Sequence, residues 1–321
     1  MLSVTECWLQ ATKQEPSLVM LEKQWFKQTI SAQPLSGGLT NQCWKISTQC
    51  GRHYVWRPHS VSTQALSLER GNEFQILSVL QQAPFSPRVE NLFSEGLLVE
   101  WVDGTTLTQV DHHDALESVM KCLSLLHRFE EGNTLFDDDL MSSHPVRSFD
   151  YARCIKTYWQ SLEPEQRTPS QTYRFNHLLS LCDDLYQETL SVAPACLCHF
   201  DLGDYNIIQK DDSELVIIDW EYAAMASPIL DVSTSILAGQ FDVDLSVKAY
   251  AKWRLAMDIK NGNTHAKAIN EPLWREMVQR WIPLLRFMAL LWHSITYSLY
   301  GRASDQEAIQ ILSRQLALDG Y

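Results

Sequence analysis

Apolar positions recur at helical spacing through most of the chain beyond residue 110, and alternate in short runs only before it. Leu116, Val119, Met120, Leu123, Leu126 and Phe129 stand three or four apart and predict one helix. Patterns of the same kind cover 149–162, 171–191, 245–258 and 271–300. The first hundred residues read differently. A weakly helical stretch over 7–30 leads to a small turn of Leu35, Ser36, Gly37, Gly38, Leu39, Thr40 and Asn41. Two strands at 43–47 and 53–57 then form a hairpin through Thr48, Gln49, Cys50 and Gly51. A helix over 66–82 ends before Pro84 and Pro87. A further strand at 96–100 runs into Trp101-Val102-Asp103-Gly104, whose Asp-Gly pair marks a turn. The texture changes near 101–106. The pattern predicts an α+β chain with a small antiparallel-sheet lobe over 1–100, carrying one prominent helix, and a larger, mainly helical lobe over 101–321.

Charge and cysteine usage narrow the functional classes. Lys and Arg number 26 against 39 Asp and Glu, a formal charge of −13, which argues against a nucleic acid as main partner. A cationic small molecule suits that field better. The eight cysteines form no CxxC pair, and Cys196 and Cys198 are expected on opposite faces of a strand. Free thiols are the expectation. The start of the chain has no basic run followed by an apolar one, and the apolar stretch 282–300 contains Arg286 and His293. A buried helix, no membrane partner and a cytoplasmic location follow as expectations.

One β segment, 197–219, interrupts the helical half and carries the densest chemistry. His199 and Asp201 precede Asn206, Ile207 and Ile208; a polar turn follows, and then Leu215-Val216-Ile217-Ile218-Asp219-Trp220-Glu221. A hairpin turning between Asp212 and Ser213 sets Asn206 directly across from Asp219, with Asp201 five residues upstream of Asn206. Two carboxylates and an amide converging on one point are oxygen ligands and a base. Magnesium-assisted phosphoryl transfer requires that set. In that reading Asp201 is the base, Asn206 and Asp219 are the metal ligands, and His199 is structural.

The run H-x-D-x-x-x-x-N from His199 to Asn206, followed by I-D-W-E from Ile218 to Glu221, resembles the aminoglycoside phosphotransferase and choline kinase superfamily. That resemblance covers about residues 34–300 and implies a two-lobed protein-kinase-like fold, with ATP and magnesium as cofactors. It also assigns parts. The Ser36, Gly37, Gly38 and Thr40 turn looks like the family's phosphate loop. Arg57 stands where protein kinases place their phosphate-binding lysine, and Glu73 matches the helix carboxylate that pairs with it. Glu100 to Val102 match the segment whose backbone reads the adenine edge. Asp231 resembles an aspartate that braces the catalytic loop, and it could equally cap the helix that follows.

For the acceptor, two patches stand out. Trp220, Glu221 and Tyr222 follow the metal Asp directly, and Trp292 lies on an aromatic-rich late helix that looks like the choline kinase wall for a quaternary ammonium. The expected partner is a small cationic alcohol of the choline or ethanolamine type. Thiamine is the alternative, because Tyr54 to His59 and Ile218 to Ala223 also look like bacterial thiamine kinases. Aminoglycosides come next, then a non-catalytic nucleotide-binding relative. A protein kinase fits less well: 220–230 is too short to dock an extended peptide. The oligomeric state is not indicated.

Overall fold

Trp44–Thr48 and His53–Pro58 alternate buried and partly exposed side chains, so they pair as strands β2 and β3 with Trp44 opposite Trp56. The computed structural model describes residues 4–25, 29–35, 43–129, 146–211, 213–260 and 268–321. Around that pair an antiparallel sheet of five strands forms in the order β1-β2-β3-β5-β4, with β1 at Thr29–Pro34, β4 at Val89–Phe93 and β5 at Gly96–Glu100. The expected 7–30 helix is two helices, α1 (Val4–Gln14) and α2 (Ser17–Trp25), and β1 begins where the weak helical pattern still ran. Leu18 and Leu21 of α2 are buried with Ile46, Trp56 and Leu98 of the sheet, and the Trp56 indole donates to Ser17 Oγ at 2.9 Å. Full burial of each such leucine stabilises by roughly 2 kcal/mol. Strand β4 carries no alternation because it is an edge that buries only Phe93.

The helix expected at 66–82 is also two pieces, α3 (Val61–Ala65) and α4 (Arg70–Val79). Ser60 starts α3 by accepting from Thr63 N, and Ser67, with φ +54°, turns the chain before α4. The buried face of α4 is partly polar, carrying Arg70, Asn72 and Glu73 beside Ile76 and Leu77.

The second half is built from helices α5 (His112–Leu126), α6 (Tyr151–Ser161), α7 (Pro169–Val192), α8 (Pro228–Gly239), α9 (Val243–Lys260), α10 (Glu271–Tyr300) and α11 (Ala303–Leu318). Val119, Leu123, Val232, Tyr250, Trp281 and Leu291 are among the side chains that form its core. No helix among the described residues is long and apolar enough to cross a membrane. Two small sheets sit on this helical body. Strand β7 (Cys196–Cys198) pairs with β10 (Ala224–Ala226), and β6 (Thr105–Thr106), β8 (Ile207–Gln209) and β9 (Leu215–Ile217) form a three-stranded sheet. Their loops present the functional groups.

The close approach of β3 and β5 at Arg57 gives a prediction. A Cβ at Gly96 would lie 2.5 Å from Arg57 O and 2.8 Å from Pro58 Cα, both main-chain atoms that cannot rotate away. Gly96→Ala is expected to destabilise the protein by about 2 kcal/mol, read as an earlier urea unfolding midpoint. An unchanged midpoint would show that β3 yields at no cost.

Candidate active site

The loop that leaves β7 is tied down from beneath. Asp231, in the first turn of α8, has no exposed surface. Its Oδ2 accepts from His199 N at 2.7 Å and its Oδ1 from Phe200 N at 2.7 Å, while His127 Nε2 lies 3.0 Å from Oδ2. Burial alone would raise this carboxyl. The hydrogen bonds from the His127 ring and the His199 main-chain N–H outweigh it and hold the carboxyl below its ordinary range. The helix cap is Ser227, whose Oγ accepts from Ile229 N, so Asp231 is free of that duty and the capping expectation is corrected.

His199 joins two strands through one tautomer. Its Nδ1 accepts from Asp201 N at 3.2 Å, which leaves the proton on Nε2 to donate to Ile218 O at 3.0 Å. Burial keeps both His199 and His127 below the usual imidazole pKa, as a neutral ring requires. In His127, Nε2–H donates to Asp231 and Nδ1 accepts from the Tyr250 hydroxyl at 2.9 Å. Cys196 and Cys198 do not diverge as expected: their sulfurs and a His127 nitrogen all lie within 4.8 Å of one another. Strand β7 is only three residues long, and the Cys198 thiol turns back to donate to Cys196 O as well as Ala226 O. Both nitrogens of His127 are already engaged, so the trio reads as core packing.

Asp201, Asn206 and Asp219 come together at the open end of the β8–β9 hairpin. The register differs from expectation by one residue. Ile207 pairs with Ile217 and Ile218 N donates to Asn206 O at 3.0 Å, so Asn206 faces Ile218 rather than Asp219. The cause is a turn centred one half-residue earlier, with Ser213 at φ +67° and its N–H on Lys210 O. Asp219, at φ +66°, then swings back toward the loop. Phe200, before Asp201, also has φ +66°. Each such non-glycine residue costs on the order of 1 kcal/mol, which the Asp231 and His199 bonds offset.

The amide of Asn206 is oriented unambiguously. Its Nδ2 donates to Asp201 O at 2.9 Å and Oδ2 at 3.1 Å, and its Oδ1 has no partner among the described residues. Asp219 Oδ2 has none either. Burial raises the Asp201 carboxyl well above its ordinary value, and the Asp219 charge adds to this, against the Tyr205 hydroxyl, which donates to Oδ1 at 2.8 Å. Two unpaired hard oxygens beside a basic carboxylate fit a divalent cation of the magnesium type.

A buried charge cluster joins the two halves behind these groups. Arg57 contacts Glu73 (Nε–Oε1 2.9 Å), Asp219 (Nη2–Oδ1 2.5 Å) and Glu221 (Nη2–Oε2 3.2 Å). Arg70, which the sequence reading missed, bridges Glu73 at 2.8 Å and Glu221 at 3.0 Å. Its signal was the Arg70/Glu73 pair one helical turn apart. Glu221 is 2% exposed and spent on these guanidiniums, so it is no wall of an acceptor pocket. Trp220 is likewise corrected. It has no exposed surface, donates to Ile217 O and packs edge-on against His199. A short helical turn at Trp220–Tyr222 directs both inward and leaves Tyr222 half-buried.

Two expected parts of the nucleotide site stand apart from this cluster in what the structure describes of them. Ser36, Gly37, Gly38 and Thr40 fall outside the described residues; on either side of that stretch Leu35 N donates to Cys43 O at 2.8 Å. The Glu100 N–H is already bonded to Arg88 O, whereas Val102 N–H has no main-chain partner among the described residues. Trp292 of α10 is half-buried, and its Nε1 donates to the Tyr222 hydroxyl at 2.8 Å. The sequence reading grouped Tyr222 with Trp220 and Glu221 in one acceptor patch and did not single out Tyr205. Both are aromatic hydroxyls beside motif residues.

A small sheet lobe joined to a helical lobe, with this loop and hairpin between them, is the protein-kinase-like fold of the small-molecule phosphotransferases. The sequence profile of the choline/ethanolamine kinase family matches residues 32–253, and the chain belongs to that family of small-molecule kinases. No curated protein matches the chain by sequence. Among solved structures, the choline kinase LicA from Streptococcus pneumoniae is 18% identical with a TM-score of 0.68, over 94% of this chain and 99% of that one. LicA is also solved in complex with AMP, with a TM-score of 0.69. An ethanolamine kinase of Plasmodium vivax is 20% identical with a TM-score of 0.62, over 90% and 81% of the two chains. The gentamicin complex of APH(2'')-IIa is 15% identical with a TM-score of 0.58, over 94% and 95%. At these identities the likeness is one of fold.

The buried imidazoles predict an acid-sensitive fold. His127 and His199 titrate lower in the folded chain than the ordinary 6.5, so the unfolded chain binds more protons just below that pH. Their contribution is complete above about pH 6.5 and is lost as pH falls toward the folded values. Unfolding free energy is expected to drop by up to about 1.4 kcal/mol per pH unit for each ring, read by urea titration at pH 7.5 and 5.5. Equal midpoints at the two pH values would mean that these rings are charged in the folded protein.

Proposed function

We propose that this kinase transfers the γ-phosphoryl group of ATP, with magnesium, to the hydroxyl of a small cationic alcohol of the choline or ethanolamine type. The observation that carries the reading is the pinned Asn206 amide, which leaves Oδ1 unpaired beside Asp219 Oδ2 and the Asp201 carboxylate. Asn206 and Asp219 would hold the metal ion, which would supply positive charge against the phosphates. Asp201 orients the acceptor hydroxyl and takes its proton, a role that its raised pKa favours. His199 and Asp231 keep that carboxylate in place by holding the main chain on both sides of Phe200. Arg57, steadied by Glu73, binds nucleotide phosphates. The main chain from Glu100 to Val102 meets the adenine, the Val102 N–H being its free donor. The AMP complex of LicA, a protein of the same fold, supports a nucleotide in this cleft.

The acceptor assignment rests on Trp292 and Tyr222, joined at 2.8 Å at one side of the cleft. An indole face beside a carboxylate holds a quaternary ammonium that cannot donate hydrogen bonds. Thiamine presents the same two features, a quaternary nitrogen and a primary alcohol.

Turnover with ATP and magnesium against choline, ethanolamine, thiamine, homoserine and kanamycin tests the reading, and activity confined to the last two would refute it. Asp201→Asn is expected to lower kcat by about 10³-fold while ADP binding stays within about twofold. Full turnover in that variant removes the base assignment. Trp292→Ala is expected to raise KM for the cationic acceptor about tenfold with a smaller change in kcat, as loss of a desolvated cation–π contact requires. An unchanged KM would move the acceptor elsewhere in the cleft.

A further inference from the structure

Three carboxylates surround the Arg57 guanidinium, and they are not equivalent. Glu73 and Glu221 side chains are 2% exposed and both are also held by Arg70, at 2.8 and 3.0 Å. The Asp219 side chain is 25% exposed and, among the described residues, has no second cation in contact and keeps Oδ2 unpaired. Yet the shortest contact of Arg57 is to Asp219, through the same Nη2 that lies 3.2 Å from Glu221. Two seats of the guanidinium are therefore permanent, and one is a carboxylate with a free oxygen facing the site.

From this geometry we infer that Arg57 is the resident counter-cation of Asp219 in the nucleotide-free enzyme. Glu221, anchored by Arg70, is the seat that retains the guanidinium when Asp219 turns to a metal ion. The inference rests on the nucleotide and metal reading above. While Asp219 occupies Nη2, a nucleotide arriving without metal meets a guanidinium whose Nη2 and Nε are already taken. Once Asp219 has another cation, Nη2 is available to a phosphate oxygen, and Nε keeps its bond to Glu73. Nucleotide and metal then bind with positive coupling through one side chain. The arrangement also accounts for arginine at this position. A guanidinium divides its donors among Glu73, Glu221 and a third partner, whereas a lysine ammonium is a single point charge.

The test is ADP binding to the full chain, with magnesium and in excess EDTA. The wild type is expected to bind ADP with magnesium and to bind it at least about tenfold more weakly without. Asp219→Asn is expected to regain about tenfold in metal-free ADP affinity, because Arg57 is released. In an Arg57→Met background the same Asp219 change should alter metal-free binding by less than about twofold. If Arg57→Met does not fold, Arg57→Gln replaces it in the cycle. An equal gain in both backgrounds is plain relief of charge repulsion and overturns the inference, as does no gain in either. Absence of ADP binding even with magnesium removes the nucleotide reading itself. That failure is distinct from binding with magnesium that shows no coupling through Arg57.

Discussion

A single buried carboxylate fixes the geometry on which the site depends. Asp231 accepts two consecutive main-chain N–H groups, of His199 and Phe200, at 2.7 Å each, and a third donor from His127. Consecutive amides can aim at one carboxylate only if the chain bends sharply, and Phe200 supplies the bend with φ +66°. The next residue is Asp201. The left-handed residue, the carboxylate beneath it and Asp201 above it form one unit. Unfolding that unit would strand a buried negative charge among apolar side chains such as Ile229, Leu230 and Val232, a far larger cost than the local backbone strain.

A second layer of charge connects this unit to the sheet lobe. Arg57 on β3, Arg70 and Glu73 on α4, and Asp219 and Glu221 after β9 come from three places in the sequence, up to 164 residues apart. Glu221 is the hinge of this arrangement, because it alone bonds both arginines across the junction. Burial and the nearby Asp219 charge raise its pKa, against the pull of Arg57 and Arg70. Two guanidiniums facing three carboxylates leave an excess of negative charge pointed at the cleft. An acidic chain with such a cleft attracts cations, both metal and organic.

Much of this was legible in the sequence where chemistry is local. Helices at 151–161, 169–192, 243–260 and 271–300 follow from apolar spacing with boundaries within a few residues, since each buries a broad face in one core. The H-x-D-x-x-x-x-N run marked the loop because its groups act within eight residues. What failed was decided by single hydrogen bonds or by distance. The hairpin slipped by one residue on a left-handed Ser213; the 66–82 helix broke at Ser67; β4 hid as an edge strand. Trp220 and Glu221 seemed to be pocket residues because they follow Asp219. The short helical turn there sends them into the core and the charge cluster. His127 was invisible for a different reason, being 104 residues from the carboxylate it serves.

The division between buried and open groups separates catalysis from specificity. Among the described residues, the charged and amide groups that would position the phosphoryl transfer are either under 10% exposed or hydrogen-bonded to one that is: Arg57, Glu73, His199, Asn206, Glu221 and Asp231 all fall below that level. Such positions tolerate little change, because each replacement leaves a partner unsatisfied in a low-dielectric interior. Trp292, Tyr222 and the hydroxyl of Tyr205 belong to the other class, half-buried or exposed, with few bonds to the frame. Trp292 and Tyr222 pack on the core from its margin, and replacing one of them leaves no buried charge unpaired. The same frame is found in solved choline, ethanolamine and aminoglycoside phosphotransferases. On the reading proposed above, the acceptor would be decided by side chains of this second class.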